Sequence, residues 1–506
     1  MHNVLVHGES RTGLLGDRQN PGAVGASLTL EERGPIVSIA HDGTSASSAL
    51  VSQWLSRNGG YTDLLFQDDR GPVTLLSVRW VGQSGSGPLV TRGVAASAIC
   101  QAPKAFGRPE GERRGDEEEL DQQGHTVERL ASSLDGLLRF IGAPHIDVDD
   151  SRPDRLIIHR GHYDPLSWTV AHDDLEADLC LELRRTTPWH ASYGKASVEQ
   201  RAELVVGYAH NEGEADALFV YAQPLRALLV LIYGKDARWR THQVTGPNYV
   251  QWVQRGDLDK RWHDSVQQWE AAYLAVTAQW STASPDDLGV PALGAADFGE
   301  KGMKEWFDRW TTDEDFRTPM QPAVEALAGM TRFLEPRLLS YVSALEGLGG
   351  WIQSTPRQYL GTEKAVQACL NAIDADWSNF ADPTLIAGYL ATIYNDLKHP
   401  QRGRKPHHRD LRLATRLAKT LVQLVAVWGI PVDGDAHQHF EASLIDGLES
   451  ELDQWKLEAF TVPNPDPTKP NGKGSAGVRL VLLDAVRDAQ LVQIIKSAEK
   501  ESGTAG

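Results

Sequence analysis

Cysteine is nearly absent from this chain: 506 residues contain three, Cys100, Cys180 and Cys369, odd in number and far apart. Such usage argues against a disulfide framework or a zinc ribbon and fits a reducing compartment. Long apolar runs are missing too. None reaches the roughly 18 residues that a membrane-spanning helix needs, so no membrane partner is expected. The start, MHNVLVHGESRTG, lacks a basic region followed by an apolar core. No secretory signal is therefore expected, and the cytoplasm is the expected location. No G-K-[ST] loop and no G-x-S-x-G elbow occurs, and GQSGSG lacks the strand and helix that a phosphate-cradling loop requires. No cofactor is expected.

Positive charge is in deficit. The chain has 50 Lys and Arg against 68 Asp and Glu, a formal net charge of −18. Charge of that size keeps a protein soluble and discourages indiscriminate nucleic-acid binding. Exposed charges are screened beyond about 8–10 Å, so their distribution matters more than their sum.

What is present divides the chain in two. The length suggests two to four domains. GPIVSIAHDG, GPVTLLSVRWVG, DRLIIHRGHYD and ADLCLELRR are short apolar or alternating runs between Gly, Pro and Asp, the punctuation of strands. Residues 82 to about 150 are polar and Gly-rich and read as loop; 204–221 read as further strands. PLRALLVLIYG and DSVQQWEAAYLAVTAQW read as helical. From about Gly302 the period becomes helical throughout. Leu334, Leu338, Tyr341, Leu345 and Leu348 form one apolar stripe, and Leu413, Leu417, Leu421, Leu424 and Trp428 form another, stopped by Gly429 and Pro431. AHQHFEASLIDGLESELDQWKLEAF reads as a shorter helix, TVPNPDPTKPNGKGSAG as a loop and VRLVLLDAVRDAQLVQIIKSAEK as a final helix. The expected fold class is α+β: a β-rich mixed part over 1–300 and an all-α bundle over 301–506.

The positive charge that the chain does have is concentrated. Eight Lys and Arg lie between Lys398 and Lys419, with Asp410 the only acid among them. Arg409, Arg412 and Arg416 fall one helical turn apart, a basic strip beside the Leu413 stripe. A solvated helix face is the ordinary reading of such a run. Just before it stands YLATIYNDLKHPQRGRKPHHR. Asp382-Pro383 marks a helix start, and His399 precedes Pro400, so it falls at or past the helix end. Asn395 lies four residues earlier on the same face. As ordinary structure, Asn395 is a helix cap and His399 a helix-end residue facing the dipole. As chemistry, a histidine beside clustered cations suits phosphate esters: cations hold and stabilise phosphoryl oxygens, and imidazole moves protons near neutral pH. RNA carries its own nucleophile in the 2′-OH, so such a site needs no metal. His437 with His439, and the adjacent His407 and His408, lack a third ligand and read as polar surface, so no metal site is expected.

Two stretches together resemble the HEPN superfamily, in its ApeA-like branch of prokaryotic defence proteins. One is FLEPRLLSYVSALEGL, with Glu346 at the acidic position of the first long helix. The other is IYNDLKHP, followed by the basic helix ending LVAVWG. HGESRTGLLGDRQNPGAVGASLTLEERGPIVSIAHDG, RLIIHRGHYDPLSWTV and WFDRWTTDEDFRTPMQPAVEAL resemble the ApeA-type N-terminal pattern. The family signature is Arg, usually Asn, three variable residues and His. Asn395 and His399 match it, and Tyr394 occupies the Arg position. A phenol cannot give the forked, charged grip of a guanidinium. Arg402 or Arg404 then supplies the cation, or the domain only binds. Arg402 and His407 also fit an R-x-x-x-x-H spacing, in a proline-broken segment, and are read as coincidence.

The resemblance implies an endoribonuclease of anti-phage, abortive-infection type, cutting RNA such as tRNA to a 2′,3′-cyclic phosphate. His399 is the implied general acid/base, with Asn395, Tyr394 and Glu346 completing the catalytic set. Lys398, Arg402, Arg404, Arg409 and Arg412 are the implied RNA-phosphate contacts. Homodimerisation through the helical domain is implied, as is a phage-derived trigger sensed by the N-terminal part. The alternative is a non-catalytic HEPN module binding RNA, a nucleotide or a partner protein, which Tyr394 favours. A protein-recognising sensor is the third reading.

Overall fold

A computed structural model describes residues 3–17, 19–42, 45–56, 61–84, 89–101, 127–142, 146–149, 157–160, 164–170, 178–187, 189–192, 195–198, 200–208, 215–246, 249–255, 262–277, 288–355, 360–373, 375–377, 382–402, 406–452, 455–462 and 477–484. The chain forms two compact units: Met1–Arg226 with Ala237–Gly289, and Ala227–Asp236 with Val290–Gly506. The fold is α+β, with a β-rich N-terminal region and a helical C-terminal one. Among the described residues no helix is long and apolar enough to cross a membrane.

The first unit begins with β1 (Ser10–Gly16), β2 (Val24–Glu31), β3 (Gly34–His41), α1 (Ala46–Ser56), β4 (Tyr61–Asp68), β5 (Gly71–Ser84) and β6 (Leu89–Val94). Five antiparallel pairings run β5-β4-β1-β2-β3-β6, and β6 returns to the far half of β5, closing a six-stranded barrel. Closure removes the open edges that leave ladder groups unpaired. The sequence encodes it by alternation: β2 buries Val24, Ala26, Leu28 and Leu30 and turns the intervening side chains outward. Leu15, Val37, Ile39, Phe66, Val73 and Leu75 complete the interior, with Trp54 of α1 packed among them.

Polar groups tie this barrel at one turn. Arg11 donates from Nε to Asp68 Oδ2 at 2.7 Å and from Nη2 to Oδ1 at 2.6 Å, with both side chains almost wholly buried. Asn3 accepts from the same guanidinium at 2.9 Å and donates to the Pro72 and Gln101 carbonyls. Asp68 also caps the β4–β5 turn by accepting from the Arg70 amide at 2.9 Å. Gly71, at φ +129°, completes that turn in a backbone region open mainly to glycine.

Beyond the barrel follow β7 (Ser97–Cys100), β8 (Arg129–Leu134), α2 (Leu137–Phe140), β9 (Ile146–Asp149), β10 (Ile157–Arg160), β11 (Leu166–Val170), β12 (Leu179–Thr186), β13 (Trp189–Ser192), β14 (Lys195–Val198), β15 (Arg201–Tyr208), α3 (Ala215–Val220), α4 (Gln223–Tyr233), β16 (Trp239–Thr245), β17 (Val250–Arg255), β18 (Trp262–Gln267) and β19 (Glu270–Leu274). From β5 the sheet continues β7-β19-β16-β8-β15-β12-β11, while β9–β10, β13–β14 and β17–β18 are separate hairpins. Three expectations need correction here. Residues 89–94, 97–100, 129–134 and 146–149 are strands and 137–140 a short helix, not loop; β7 and β8 are short and draw their pairing from distant partners. The segment DSVQQWEAAYL is strand in β18 and β19, because apolar runs this short fit either period and sheet neighbours decide. Residues 215–220 are helix rather than strand.

The second unit holds α5 (Ala295–Thr312), α6 (Glu314–Leu327), α7 (Leu334–Ile352), α8 (Thr362–Ala372), α9 (Pro383–Lys398), α10 (His408–Val427) and α11 (Ala436–Leu452). Both apolar stripes are core: Leu338, Tyr341, Leu345 and Leu348 of α7 are buried, as are Leu413, Leu417, Leu421 and Leu424 of α10. Gln423 of α10 also donates to the Leu231 carbonyl of α4, whose end belongs to this unit. Asp313 caps α6 through the Phe316 amide and accepts from Trp351 Nε1 at 2.7 Å, joining α6 to α7. The unit is not all-α. β20 (Trp455–Val462) and β21 (Gly477–Asp484) form an antiparallel hairpin, and β21 packs along α9. The expected helix over VRLVLLD is therefore a strand, again an apolar run too short to show its period; 463–476 and 485–506 lie outside the described residues.

Candidate functional site

The sequence places α9 accurately. Asp382 caps it, its side chain accepting from the Thr384 amide at 2.8 Å, and Pro383 takes the first helical position, where its missing N–H costs nothing. At the other end His399 is the C-cap, with its amide donating to the Asn395 carbonyl at 3.0 Å. Pro400 forbids a further turn. His399 is half-buried, and its Nδ1 lies 3.5 Å from Gln401 Nε2. Asn395 is half-buried one turn earlier.

Tyr394 is buried, only 3% exposed, and its hydroxyl donates to Glu346 Oε2 at 3.1 Å. Glu346, 8% exposed, accepts on its other oxygen from the Thr362 hydroxyl. Thr362 is the first residue of α8, so this carboxyl sits at a helix N-terminus, where the backbone dipole favours negative charge. α7 and α8 meet closely enough for this because Gly349 lacks a side chain: a Cβ there would lie 2.3 Å from the Ala365 carbonyl oxygen. Lys398 is exposed. Its Nζ stands 3.4 Å from the Tyr394 hydroxyl and 5.1 Å from the centre of the Tyr394 ring. Glu346, Tyr394, Lys398 and His399 thus occupy one end of α9, with Asn395 on the same last turn.

The remaining candidates are distributed differently. Arg402 ends the short 3₁₀ turn Pro400–Arg402, directly after His399. Arg404 and Lys405 lie outside the described residues. Arg409 is half-buried and Arg412 exposed, both in the first turns of α10. That end of α10 is fixed by the Tyr389 hydroxyl, which donates to the Asp410 carbonyl at 3.1 Å. Tyr389 precedes His399 by roughly ten residues, about 15 Å of helix. The strip extends instead toward α7, where Arg416 and Arg337 flank Tyr341; burial pushes that phenol up to about 12 against their pull. His407 caps α10 by accepting from the Arg409 amide, and His437 pairs with Glu441 at 3.3 Å.

Two residues escaped sequence reasoning. Thr362 carried a weak signal, a hydroxyl residue opening a helix after Gly361. Arg337 carried none, since only packing brings α7 beside Arg416. The two buried thiols offer no nucleophile: burial pushes Cys100 up to about 12 and raises Cys369 further, while Cys180 is exposed. Ser132, His242 and Thr277 form a hydrogen-bonded row at 2.8 and 2.9 Å, but His242 is sealed in the core and burial lowers it to about 3. No protein-family model, curated protein or solved structure matches the chain.

Proposed function

We propose that the chain is an ApeA-like HEPN endoribonuclease of anti-phage defence, its helical unit carrying the reaction and its β-rich unit sensing a trigger. One observation carries the reading: a half-exposed imidazole, His399, ends a helix beside an exposed ammonium, Lys398, and at the head of a cation-rich segment. His399 takes the 2′-hydroxyl proton of RNA as that oxygen attacks the adjacent phosphorus. The P–O5′ bond breaks, the imidazolium gives that proton to the leaving 5′-oxygen, and a 2′,3′-cyclic phosphate remains. Asn395 orients the imidazole or the phosphate. Lys398, Arg402, Arg404, Arg409 and Arg412 hold the backbone, and pairing of two protomers through the helical unit brings two such segments together.

A second reading is favoured by Tyr394. The residue at the signature Arg position is buried and spends its hydroxyl on Glu346 rather than presenting it to a substrate. That supports a module that binds RNA without cutting it. Incubation with total tRNA in excess chelator, beside His399→Ala, separates the two. Cleavage lost in the variant supports the nuclease. Equal binding by both, without cleavage, supports the module, and no RNA interaction supports a protein-recognising sensor.

A further inference from the structure

We infer that Lys398, braced by Tyr394 against Glu346, is the phosphate-holding cation of this site, so that Tyr394 acts as a positioning residue. The inference rests on the RNA-directed reading above and singles out, among the five cations named there, the one that stands in for the signature arginine.

The direction of the hydrogen bonds carries the argument. An ammonium has only donors, and a carboxylate only acceptors. Lys398 Nζ, at 3.4 Å, therefore donates to the Tyr394 oxygen, and the single phenolic proton goes to Glu346 Oε2, at 3.1 Å. Thr362 occupies the other carboxyl oxygen. The hydrogen bonds of the row Lys398–Tyr394–Glu346–Thr362 thus converge on Glu346. The row joins three helices through the buried Tyr394 and Glu346, and Lys398 is its exposed member.

Two consequences follow for an anion. The Tyr394 ring lies 5.1 Å beneath the ammonium and restrains the flexible lysine stem by cation–π attraction. With one donor turned inward, the others face solvent, where a phosphate oxygen can take them. His399 is the next residue in the chain, at the C-cap of the same helix. A buried arginine at 394 would have its fork consumed by Glu346; the tyrosine instead relays that carboxyl to a neighbour that remains outside.

Salt-dependent binding of single-stranded RNA tests this. One lost phosphate contact lowers the slope of log K against log salt by about 0.7, and removing it weakens low-salt binding on the order of tenfold. Lys398→Met is expected to show both changes with an unaltered melting temperature, and Lys398→Arg to restore the slope. Tyr394→Phe keeps the ring and the charge but removes the brace; the expected result is the wild-type slope with several-fold weaker binding. Wild-type slope and affinity in Lys398→Met, with the wild type still binding RNA, overturns the assignment and leaves the nuclease reading standing. A wild type that neither binds nor cuts RNA overturns both.

Discussion

The Tyr394 hydroxyl donates to Glu346 Oε2 across 3.1 Å inside the helical core. Tyr394→Phe leaves a buried carboxyl oxygen short of a donor. The expected cost is about 1–3 kcal/mol, read from urea or thermal unfolding. Tyr394→Arg is expected to fold, since Glu346 offers the guanidinium a partner. If position 394 is a degraded phosphate ligand, cleavage by this variant rises; an unchanged rate assigns the phosphate to Lys398 or Arg402.

Gly349 sets the approach of α7 to α8, and with it the reach of Thr362 to Glu346. A methyl group there meets backbone rather than a yielding side chain. Gly349→Ala is therefore expected to destabilise the helical unit by about 1–3 kcal/mol through overpacking, while Gly447→Ala, within α11 and with open space at its Cβ, shows no such loss. Equal melting temperatures for the two variants would contradict the packing account.

The fold was legible where period and length agreed. The α7 and α10 stripes, the α9 cap at Asp382-Pro383 and the β2–β3 and β4–β5 punctuation all follow from local pattern. It was illegible where partners decide. β19 and β21 are apolar runs whose identity as strands comes from pairing with β7, β16 and β20. The barrel closure joins β5 to β6 through a contact no periodicity encodes. At the site, the helix end holding His399 was readable from Pro400. The inward turn of Tyr394 and the partnership of Glu346 with Thr362 were not, because they depend on how three helices pack.

The buried Arg11–Asp68 pair gives the first unit an acid dependence. Burial pushes the Asp68 carboxyl up, but Arg11 and the Arg70 and Gly71 amides outweigh it and hold it below its ordinary 3.8. A depressed carboxyl contributes stability that is complete above about pH 4 and is lost as pH falls through the lowered value. Asp68→Asn leaves a buried guanidinium without its counter-charge and is expected to cost about 3–5 kcal/mol at neutral pH. Its stability profile below pH 4 is expected to be flatter than that of the wild type.

His242 acts in a different window. Burial lowers it from 6.5 to about 3, so the unfolded chain takes up a proton between those values that the folded chain does not. Stability from this residue is complete above about pH 6.5 and falls by roughly 1.4 kcal/mol per pH unit below it. His242→Gln, which keeps hydrogen-bonding groups toward Ser132 and Thr277, is expected to remove that slope. Denaturant titrations at pH 5 and pH 7 read the difference, and an unaltered slope contradicts the assignment.

The central claim is that the imidazole at the end of α9 cuts RNA. The most direct measurement is cleavage of total tRNA in excess chelator by the wild type and by His399→Ala, with end-group analysis of the products. The account predicts fragments ending in 2′,3′-cyclic phosphate from the wild type and none from the variant. Undiminished cleavage by His399→Ala, or intact tRNA with the wild type, would contradict it.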